Sequence, residues 1–261
     1  MKRPIGVFDS GVGGLTVLET LKEQLPNENL IYIGDNIHSP YGDKTKEQLL
    51  AYTTEICKYF ISQNVKMIVL ACNTTSANVL DELQKQFPQV RIVGVIHSTV
   101  HEFLKKGCHH VLVIATHATI QAHKYKQLIN DYDKYICVEE LETPHLVPVI
   151  ESGEYKTGIV DILNDYLLSY QNKVDSIILG CTHYPIVLDQ IQKILGDICY
   201  VSSSASICHE VSSYLKLHCL LNTQQTIGNV RIYTTGNVDE FIYSSSGFFD
   251  YNDLKVEFLK L

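Results

Sequence analysis

The sequence predicts an α/β protein of two pseudo-symmetric lobes, each a mostly parallel sheet flanked by helices, with the active site in the cleft between them. Short apolar runs alternate with segments whose apolar residues recur at i, i+3 and i+4, which is typical of parallel α/β sheets. A strand-like unit also occurs twice: residues 65–74 and residues 174–183 each run through β-branched residues to a small residue, a cysteine and polar groups. Two such copies in 261 residues favour two lobes over one large core.

The strands are predicted from short apolar runs rich in β-branched residues. In chain order, the runs are 5–8, 30–33, 67–71, 91–96, 111–115, 136–138, 176–180, 198–201 and 230–234. Between them, residues 15–21 and 49–61 are the clearest amphipathic helical segments.

The strand and helix pattern restarts at residue 111 and leads to the second cysteine strand, so the chain is divided near residue 96. Residues after about 207 are expected to form a helix, a strand and a helix, with no further cysteine strand. We therefore predict a first lobe from residues 1–95 and 208–261 that carries Cys72, and a second lobe from residues 96–207 that carries Cys181.

Composition and charge exclude several classes of protein. The net charge is −8 and the basic residues are scattered, so no electrostatic footprint for nucleic acid is visible. Asp9 interrupts the apolar run of a possible signal peptide, and no apolar stretch approaches the roughly 20 residues needed to span a bilayer. These features predict a cytoplasmic protein without nucleic-acid or membrane partners.

Eight cysteines without a C-x-x-C pair, in a chain expected to stay in the cytosol, predict reduced thiols rather than disulfides. Most should be small apolar fillers. Cys72 and Cys181 stand out because each follows a buried strand, where ligands bind in open parallel sheets, and precedes a helix-like segment that favours the thiolate. Paired thiols suggest removal of a proton on one side of a substrate and delivery on the other.

A glycine-rich loop follows the first strand in the order Asp9, Ser10, Gly11, Val12, Gly13, Gly14. Its glycines permit a tight bend, and free N–H groups at the start of the next helix would suit an anion. A dinucleotide fingerprint needs a glycine where Thr16 stands, so a small carboxylate is the better fit.

The polar residues beside the two cysteines are predicted to surround a small ligand. Asn73, Thr74, Thr75 and Thr182 offer neutral hydrogen-bonding groups. Asp9, Glu151 and His183 are the groups that could poise the sulfur atoms as acids or bases.

A metal centre is not predicted. Cys108, His109 and His110 are consecutive, but no second ligand pair follows at zinc spacing, so a turn between helix and strand is expected. The acidic residues Glu139, Glu140 and Glu142 are expected to form a solvated face.

Five ordered motifs together make the chain resemble the glutamate racemases of the aspartate/glutamate racemase superfamily. They are Asp9 to Gly14; Gly34-Asp35 with Pro40-Tyr41-Gly42; Ala71-Cys72-Asn73-Thr74; Val147-Pro148 with Glu151; and Gly180-Cys181-Thr182-His183.

The resemblance implies a commonly dimeric enzyme that converts L-glutamate to D-glutamate for peptidoglycan without pyridoxal phosphate or a metal. It implies that Cys72 acts on the D-enantiomer and Cys181 on the L-enantiomer, with assistance from Asp9, Glu151 and His183. The residues it assigns to substrate binding are Asp9, Ser10, Pro40, Tyr41, Gly42, Asn73, Thr74, Thr75, Thr116, Thr119, Thr182 and His183.

The chain also departs from the family pattern at several positions. His38 stands where an arginine is usual, His97 and Ser98 replace Glu-Pro, Ala122 replaces a serine, and Thr143 replaces a cysteine before Pro144. These departures bear on substrate choice and lobe packing rather than on the chemistry of the thiols.

Three alternatives remain open. An aspartate racemase of the same superfamily usually carries an acid after Cys-Thr, whereas this chain has His183. A hydrolase or transferase would use Cys181 as nucleophile with His183 nearby, but residues two apart rarely form such a dyad, and Cys72 would have no role. A binding protein would merely pack both thiols.

Overall fold

The computed structural model describes residues 3–156, 158–223, 226–252 and 254–261. It contains two separate sheets, in which all neighbouring strands are parallel, and helices flank both. The predicted α/β class with two sheets is therefore confirmed. Strands and helices are numbered below along the chain.

The first sheet has six strands in the order β10-β9-β2-β1-β3-β4. Their bounds are β1 Ile5–Asp9, β2 Leu30–Gly34, β3 Met67–Leu70, β4 Arg91–Gly94, β9 Val230–Thr234 and β10 Val256–Phe258. The central strand β1 pairs in register with β2 and β3, and its five residues are all buried. Burial on both faces explains the continuous apolar runs that identify these strands in the sequence.

The second sheet has four strands in the order β6-β5-β7-β8. Their bounds are β5 His110–Ala115, β6 Cys137–Glu142, β7 Ser176–Gly180 and β8 Cys199–Ser202. The strand β7, which precedes Cys181, is central and fully buried, as is β3 before Cys72. The repeated sequence unit thus occupies an interior position in each sheet.

The helices connect successive strands and cover the sheets. Their bounds are α1 Leu15–Gln24, α2 Lys46–Ser62, α3 Asn73–Asn78, α4 Leu80–Gln86, α5 Val95–Leu104, α6 His117–Gln121, α7 Lys124–Tyr132, α8 Leu146–Glu151, α9 Ile159–Leu167, α10 Leu188–Leu195, α11 Ser203–Leu217 and α12 Val238–Ser245. Single 3₁₀ turns lie at Tyr41–Asp43, Glu154–Lys156, Leu168–Tyr170 and Tyr184–Val187. No helix of the described residues is both long and apolar enough to cross a bilayer.

Successive residues of each strand pack on opposite sides of its sheet, so each sheet has two apolar layers. Val7 of β1 belongs to the layer beneath α1 and α11, whereas Phe8 packs with α2 and α4 on the other face. In β5, Leu112 packs on the α9 and α10 side and Val113 on the α5 and α7 side. This period of two is the reason that a short apolar run suffices to define each strand.

Two predicted strands differ from the structure by more than one residue at an end, and one observed strand was not predicted. The run 91–96 ends as a strand at Gly94, because Val95 and Ile96 are the first residues of α5. Strand β6 extends through Glu142, beyond the predicted end at residue 138, because β5 supplies backbone partners for the whole stretch. Residues 256–258 form β10 beside β9, a strand too short to be identified from its own sequence.

The first sheet takes its strands from residues 5–94 and 230–258, and the second from residues 110–202. Helix α11 follows the last strand of the second sheet and contacts both α1 and α5. The lobe boundaries given above, near residues 95 and 208, stay a prediction.

Candidate active site

One cavity lies between the carboxyl edges of the two sheets and is lined by both cysteine segments. Its lining residues are Ser10, Ser39, Pro40, Tyr41, Gly42, Asp43, Cys72, Asn73, Thr74, Thr116, His117, Pro144, Val147, Pro148, Cys181, Thr182 and His183. Its volume of about 70 Å³ is well below the roughly 300–1,000 Å³ of pockets that hold drug-sized ligands. The cavity therefore suits a small solute rather than a dinucleotide.

Cys72 enters the cavity from the first sheet, immediately after β3 and before α3. The residue is 4% exposed, and its thiol donates to Ser10 Oγ at 3.6 Å. Burial raises the pKa of the Cys72 thiol, and the nearby Asp9 carboxylate raises it further, while the neighbouring Thr75 and Ser10 groups offset part of the effect. The neutral thiol is therefore the favoured form of Cys72.

Cys181 enters from the second sheet, after β7, and has different partners. Its Sγ lies 3.6 Å from Nδ1 of His183, and Nε2 of His183 lies 2.9 Å from Oε1 of Glu151. Burial opposes charge on the imidazole, but the hydrogen bonds to Cys181 and Glu151 outweigh it and raise the pKa of His183 well above its ordinary value. A protonated His183 would lie between the sulfur of Cys181 and the carboxyl group of Glu151.

Asp9 ends β1 behind the cavity and joins the two sheets. Its carboxylate accepts the backbone N–H of Gly11 at 3.1 Å and the hydroxyl of Thr182 at 3.3 Å. Burial raises the pKa of Asp9, and the nearby His183 limits the rise. The glycine loop, expected to receive a carboxylate ligand, thus directs N–H groups at its own aspartate.

The glycines of this loop are required by close contact with the second sheet's residues. A Cβ atom on Gly13 would lie 2.4 Å from His183 Nδ1 and 2.5 Å from Thr182 Oγ1. A Cβ on Gly14 would lie 2.4 Å from that of Asp9. The loop is glycine-rich because side chains from both sheets occupy the space beside it.

Hydroxyl groups from both sheets meet on another wall. Thr74 Oγ1 lies 2.9 Å from Thr116 Oγ1 and 3.1 Å from Thr119 Oγ1, and the last two are 2.9 Å apart. Beside them, Asn73 Oδ1 accepts the hydroxyl of Tyr125 at 2.7 Å, whereas its buried Nδ2 has no hydrogen-bond partner. A buried donor without a partner on a cavity wall is suited to a ligand acceptor.

The turn at Pro40, Tyr41 and Gly42 forms a further wall. Tyr41 donates its hydroxyl to Oδ2 of the buried Asp35 at 2.5 Å, and Asp35 also accepts from Thr235 at 2.6 Å. Burial beside Asp35 raises the pKa of Tyr41 well above its usual range. The tyrosine is therefore a fixed, neutral part of the wall.

Most of the predicted site residues line the cavity directly, but four lie behind its surface. All four are absent from the lining. Asp9, Thr119 and Glu151 contact the lining residues Thr182, Thr74 and His183, respectively, and Thr75 follows Thr74 in α3. These four would act through other side chains.

Six lining residues were not among the predicted site residues: Ser39, Asp43, His117, Pro144, Val147 and Pro148. Ser39 and Asp43 flank the predicted turn, and His117 directly follows Thr116, so proximity to a motif was the available signal. The other three follow the carboxyl end of β6, which is Glu142: they are Pro144, Val147 and Pro148.

The departures from the family pattern lie outside the cavity lining. His38 stacks on Tyr52 with ring centroids 3.8 Å apart, and its Nδ1 lies 2.9 Å from Asp35. His97 is exposed on α5, and Ala122 follows the last residue of α6.

The prediction that Cys181 and His183 would not face each other is wrong. Residues 181 and 183 were expected not to present their side chains to each other, yet Sγ and Nδ1 are 3.6 Å apart because a 3₁₀ turn begins directly after His183. A hydrolase mechanism would leave Cys72, which lines the same cavity, without a role.

The comparisons with known proteins agree with this site. The Asp/Glu/hydantoin racemase family model matches residues 5–207, so the chain belongs to that family of racemases. The relatives are more particular: a protein of Bacillus cereus named glutamate racemase is 37% identical over 253 residues, 95% of this chain and 94% of the relative. A glutamate racemase of Listeria monocytogenes is 34% identical across 100% of this chain and 99% of its own length.

Solved structures show the same fold over the whole chain. Glutamate racemase isoform RacE1 of Bacillus anthracis superimposes with a TM-score of 0.92 at 32% identity, covering 100% of this chain and 99% of its own. The glutamate racemase of Francisella tularensis in complex with D-glutamate has a TM-score of 0.91 at 33% identity, covering 99% and 98%. An aspartate racemase of Picrophilus torridus, at 17% identity and a TM-score of 0.63, shares the fold alone.

Proposed function

We propose that this chain interconverts L- and D-glutamate by moving the α-proton between two cysteines, without a cofactor. The observation that carries the proposal is that Cys72 and Cys181, which follow strands of different sheets, line the same small cavity. Relatives that cover nearly the whole chain are named glutamate racemase, which supports glutamate over other amino acids.

The chemistry needs one thiolate and one thiol on opposite faces of Cα. A thiolate takes the α-proton as the Cα–H bond breaks, and the electron pair stays on Cα and its carboxylate. The opposite S–H then gives its proton to the other face, which leaves the first sulfur protonated and the second as thiolate. Cys72 is assigned the proton of D-glutamate and Cys181 that of L-glutamate.

Three groups would assist the proton transfers. His183, held between Cys181 and Glu151, is placed to stabilise negative charge on the Cys181 sulfur. Asp9 adjoins Cys72 electrostatically and accepts from Thr182, so its protonation state affects both sides of the cavity.

Neutral donors would hold the substrate. Ser10, Asn73, Thr74, Thr116 and Thr182 line the cavity, and the buried Nδ2 of Asn73 is free to donate to a carboxylate. Pro40, Tyr41 and Gly42 form a further wall around the substrate. Thr75 and Thr119 support these groups from behind.

The wider role follows from the same assignment. We infer a cytoplasmic homodimer that supplies D-glutamate for peptidoglycan and has no nucleic-acid or membrane partner. Aspartate racemisation in the same cavity is the second candidate, because the fold is shared with an aspartate racemase.

The test is circular dichroism of L- and D-glutamate and of L- and D-aspartate with metal-free protein, combined with solvent deuterium incorporation at Cα. We expect racemisation and exchange with glutamate, and loss of racemisation in Cys72→Ser and Cys181→Ser by at least about 10²-fold. Cys219→Ser, which changes an exposed cysteine, is the control and should retain full activity. Activity on aspartate alone, or full turnover by either pocket variant, would refute the proposal.

A further inference from the structure

Three side chains of types that ligate metals in proteins lie close together at the amino edge of the second sheet. The ligand atoms of His110, Cys137 and Glu139 all lie within 4.8 Å of one another. Nε2 of His110 is 2.7 Å from Oε1 of Glu139. His110 is half-buried and Cys137 is exposed, so the cluster opens to solvent on one side.

Strand pairing brings these residues together although the sequence separates them. His110 of β5 is the register partner of Cys137 of β6. Because side chains alternate along a strand, Glu139 lies on the same face of β6 as Cys137. The second ligand pair that is missing from the sequence around residues 108–110 is thus supplied by the neighbouring strand.

Hydrogen bonds to Asp175 fix the backbone beside the cluster. The carboxylate of Asp175 accepts the N–H of His109 at 2.7 Å and that of His110 at 3.1 Å. Asp175 precedes β7, so three adjacent strands fix the position from which His110 projects. A site on paired strands holds its ligands more precisely than one on a loop.

We propose that His110, Cys137 and Glu139 form a binding site for a divalent ion of the zinc class. Imidazole nitrogen, thiolate sulfur and carboxylate oxygen are the three donor types that zinc takes in proteins. Donor atoms around tetrahedral zinc are about 3.4 Å apart. The atoms of His110 and Glu139, now 2.7 Å apart, would separate slightly, and no ligand pair is further apart than 4.8 Å, so small rotations of the side chains give the required spacing. The Cys137 thiol loses its proton on binding, and water completes the coordination.

This site is separate from the cavity of the two catalytic thiols. The cavity lies at the carboxyl ends of the strands, whereas His110 begins β5 and Cys137 begins β6. A metal at this edge would join the outermost strand β6 to β5. Its effect is therefore expected on stability and on metal content rather than on proton transfer.

The experiment is titration of the reduced, metal-free protein with Co²⁺, followed by the charge-transfer absorption between thiolate and metal, and by competition with Zn²⁺. We expect one equivalent to bind with a thiolate band that is present in Cys219→Ser and absent in Cys137→Ser. Glu139→Gln, which preserves shape, should weaken the affinity by at least about tenfold.

A second measurement is the unfolding midpoint, because binding to the folded state raises it. Zinc should raise the midpoint of the wild type and of Cys219→Ser, and raise it less in Glu139→Gln. No thiolate band with excess Co²⁺, or a band that survives in Cys137→Ser, would overturn the proposal. Racemase assays play no part in the readout, so a failure here is distinct from a failure of the proposed function.

Discussion

The Nδ1 atom of His183 lies 3.6 Å from the Sγ atom of Cys181, whereas the thiol of Cys72 donates to Ser10 Oγ at 3.6 Å. The two thiols of a duplicated unit therefore work in unequal surroundings. One is coupled to an imidazole and a carboxylate, and the other is kept neutral by burial and by Asp9.

This inequality predicts that His183→Asn impairs one half of the reaction more than the other. Because the equilibrium constant of a racemisation is one, kcat/KM must be equal in both directions, so an irreversible probe is needed. Elimination of chloride from β-chloroglutamate needs only one base. We expect His183→Asn to slow elimination from the L-form by at least about 10²-fold. The loss of rate on the D-form should be several-fold smaller than the loss on the L-form. Equal losses on both enantiomers would contradict the assignment of His183 to Cys181.

The tight packing at Gly13 predicts a large effect from the smallest possible side chain. Gly13→Ala places Cβ 2.4 Å from His183 Nδ1, so the imidazole must move, and activity should fall by about 10²-fold. Gly158→Ala is the matched control, because the nearest atom to its Cβ would be 3.7 Å away. Steady-state rates and urea unfolding of both variants are the measurements. A Gly13→Ala enzyme with wild-type rates would show that His183 does not need its present position.

The raised pKa of Asp9 predicts a pH-dependent cost to folding. Since burial raises the pKa above its ordinary value of 3.8, the protonated form favours the fold. The stability that Asp9 contributes is thus present below that value and is lost as the pH rises through the pKa of the folded state. Urea unfolding of wild type and Asp9→Asn, from about pH 4 to pH 8, should show the wild type losing stability relative to the variant. A difference that is constant with pH would refute this sign.

His117 is expected to affect substrate binding from the rim of the cavity. Nδ1 of its ring lies 2.9 Å from Oε2 of Glu142. Removing the ring in His117→Ala should raise KM for glutamate roughly fivefold, a loss of about 1 kcal/mol in binding free energy, with little change in kcat. His123→Ala is the matched control, because His123 pairs with Glu140 at 2.6 Å but does not line the cavity. If both variants changed KM equally, surface charge rather than the rim contact would be responsible.

The buried ion pair between Lys66 and Glu28 is expected to be important for stability. Nζ of Lys66 lies 2.5 Å from Oε2 of Glu28 and also donates to the carbonyl of Leu220, and both charged side chains are almost fully buried. Lys66→Met strands the carboxylate and should lower the free energy of unfolding by about 3–5 kcal/mol. Lys58→Met breaks the exposed pair with Glu55 and should change it by less than about 1 kcal/mol. Denaturant melts of the two variants provide the comparison, and equal effects would contradict it.

The family motifs predicted most of the residues on the cavity wall, whereas the local sequence pattern was enough to predict the α/β class and the strands that precede Cys72 and Cys181. It could do so because strand burial and the position of a residue at a strand end are local properties, visible as apolar runs that end in polar groups. The same locality explains the errors: β10 is defined by its pairing with β9, and the end of β4 by where α5 begins.

The contacts between groups from different sheets could not be predicted from the sequence. Three contacts join residues from different elements. They are the hydrogen bond between His183 and Glu151, the close approach of Gly13 to Thr182, and the cluster of His110 with Cys137 and Glu139. Their distances depend on how strands pair and how sheets pack, because contacts between elements are set by the burial of whole faces and leave no periodic trace in a short stretch of sequence.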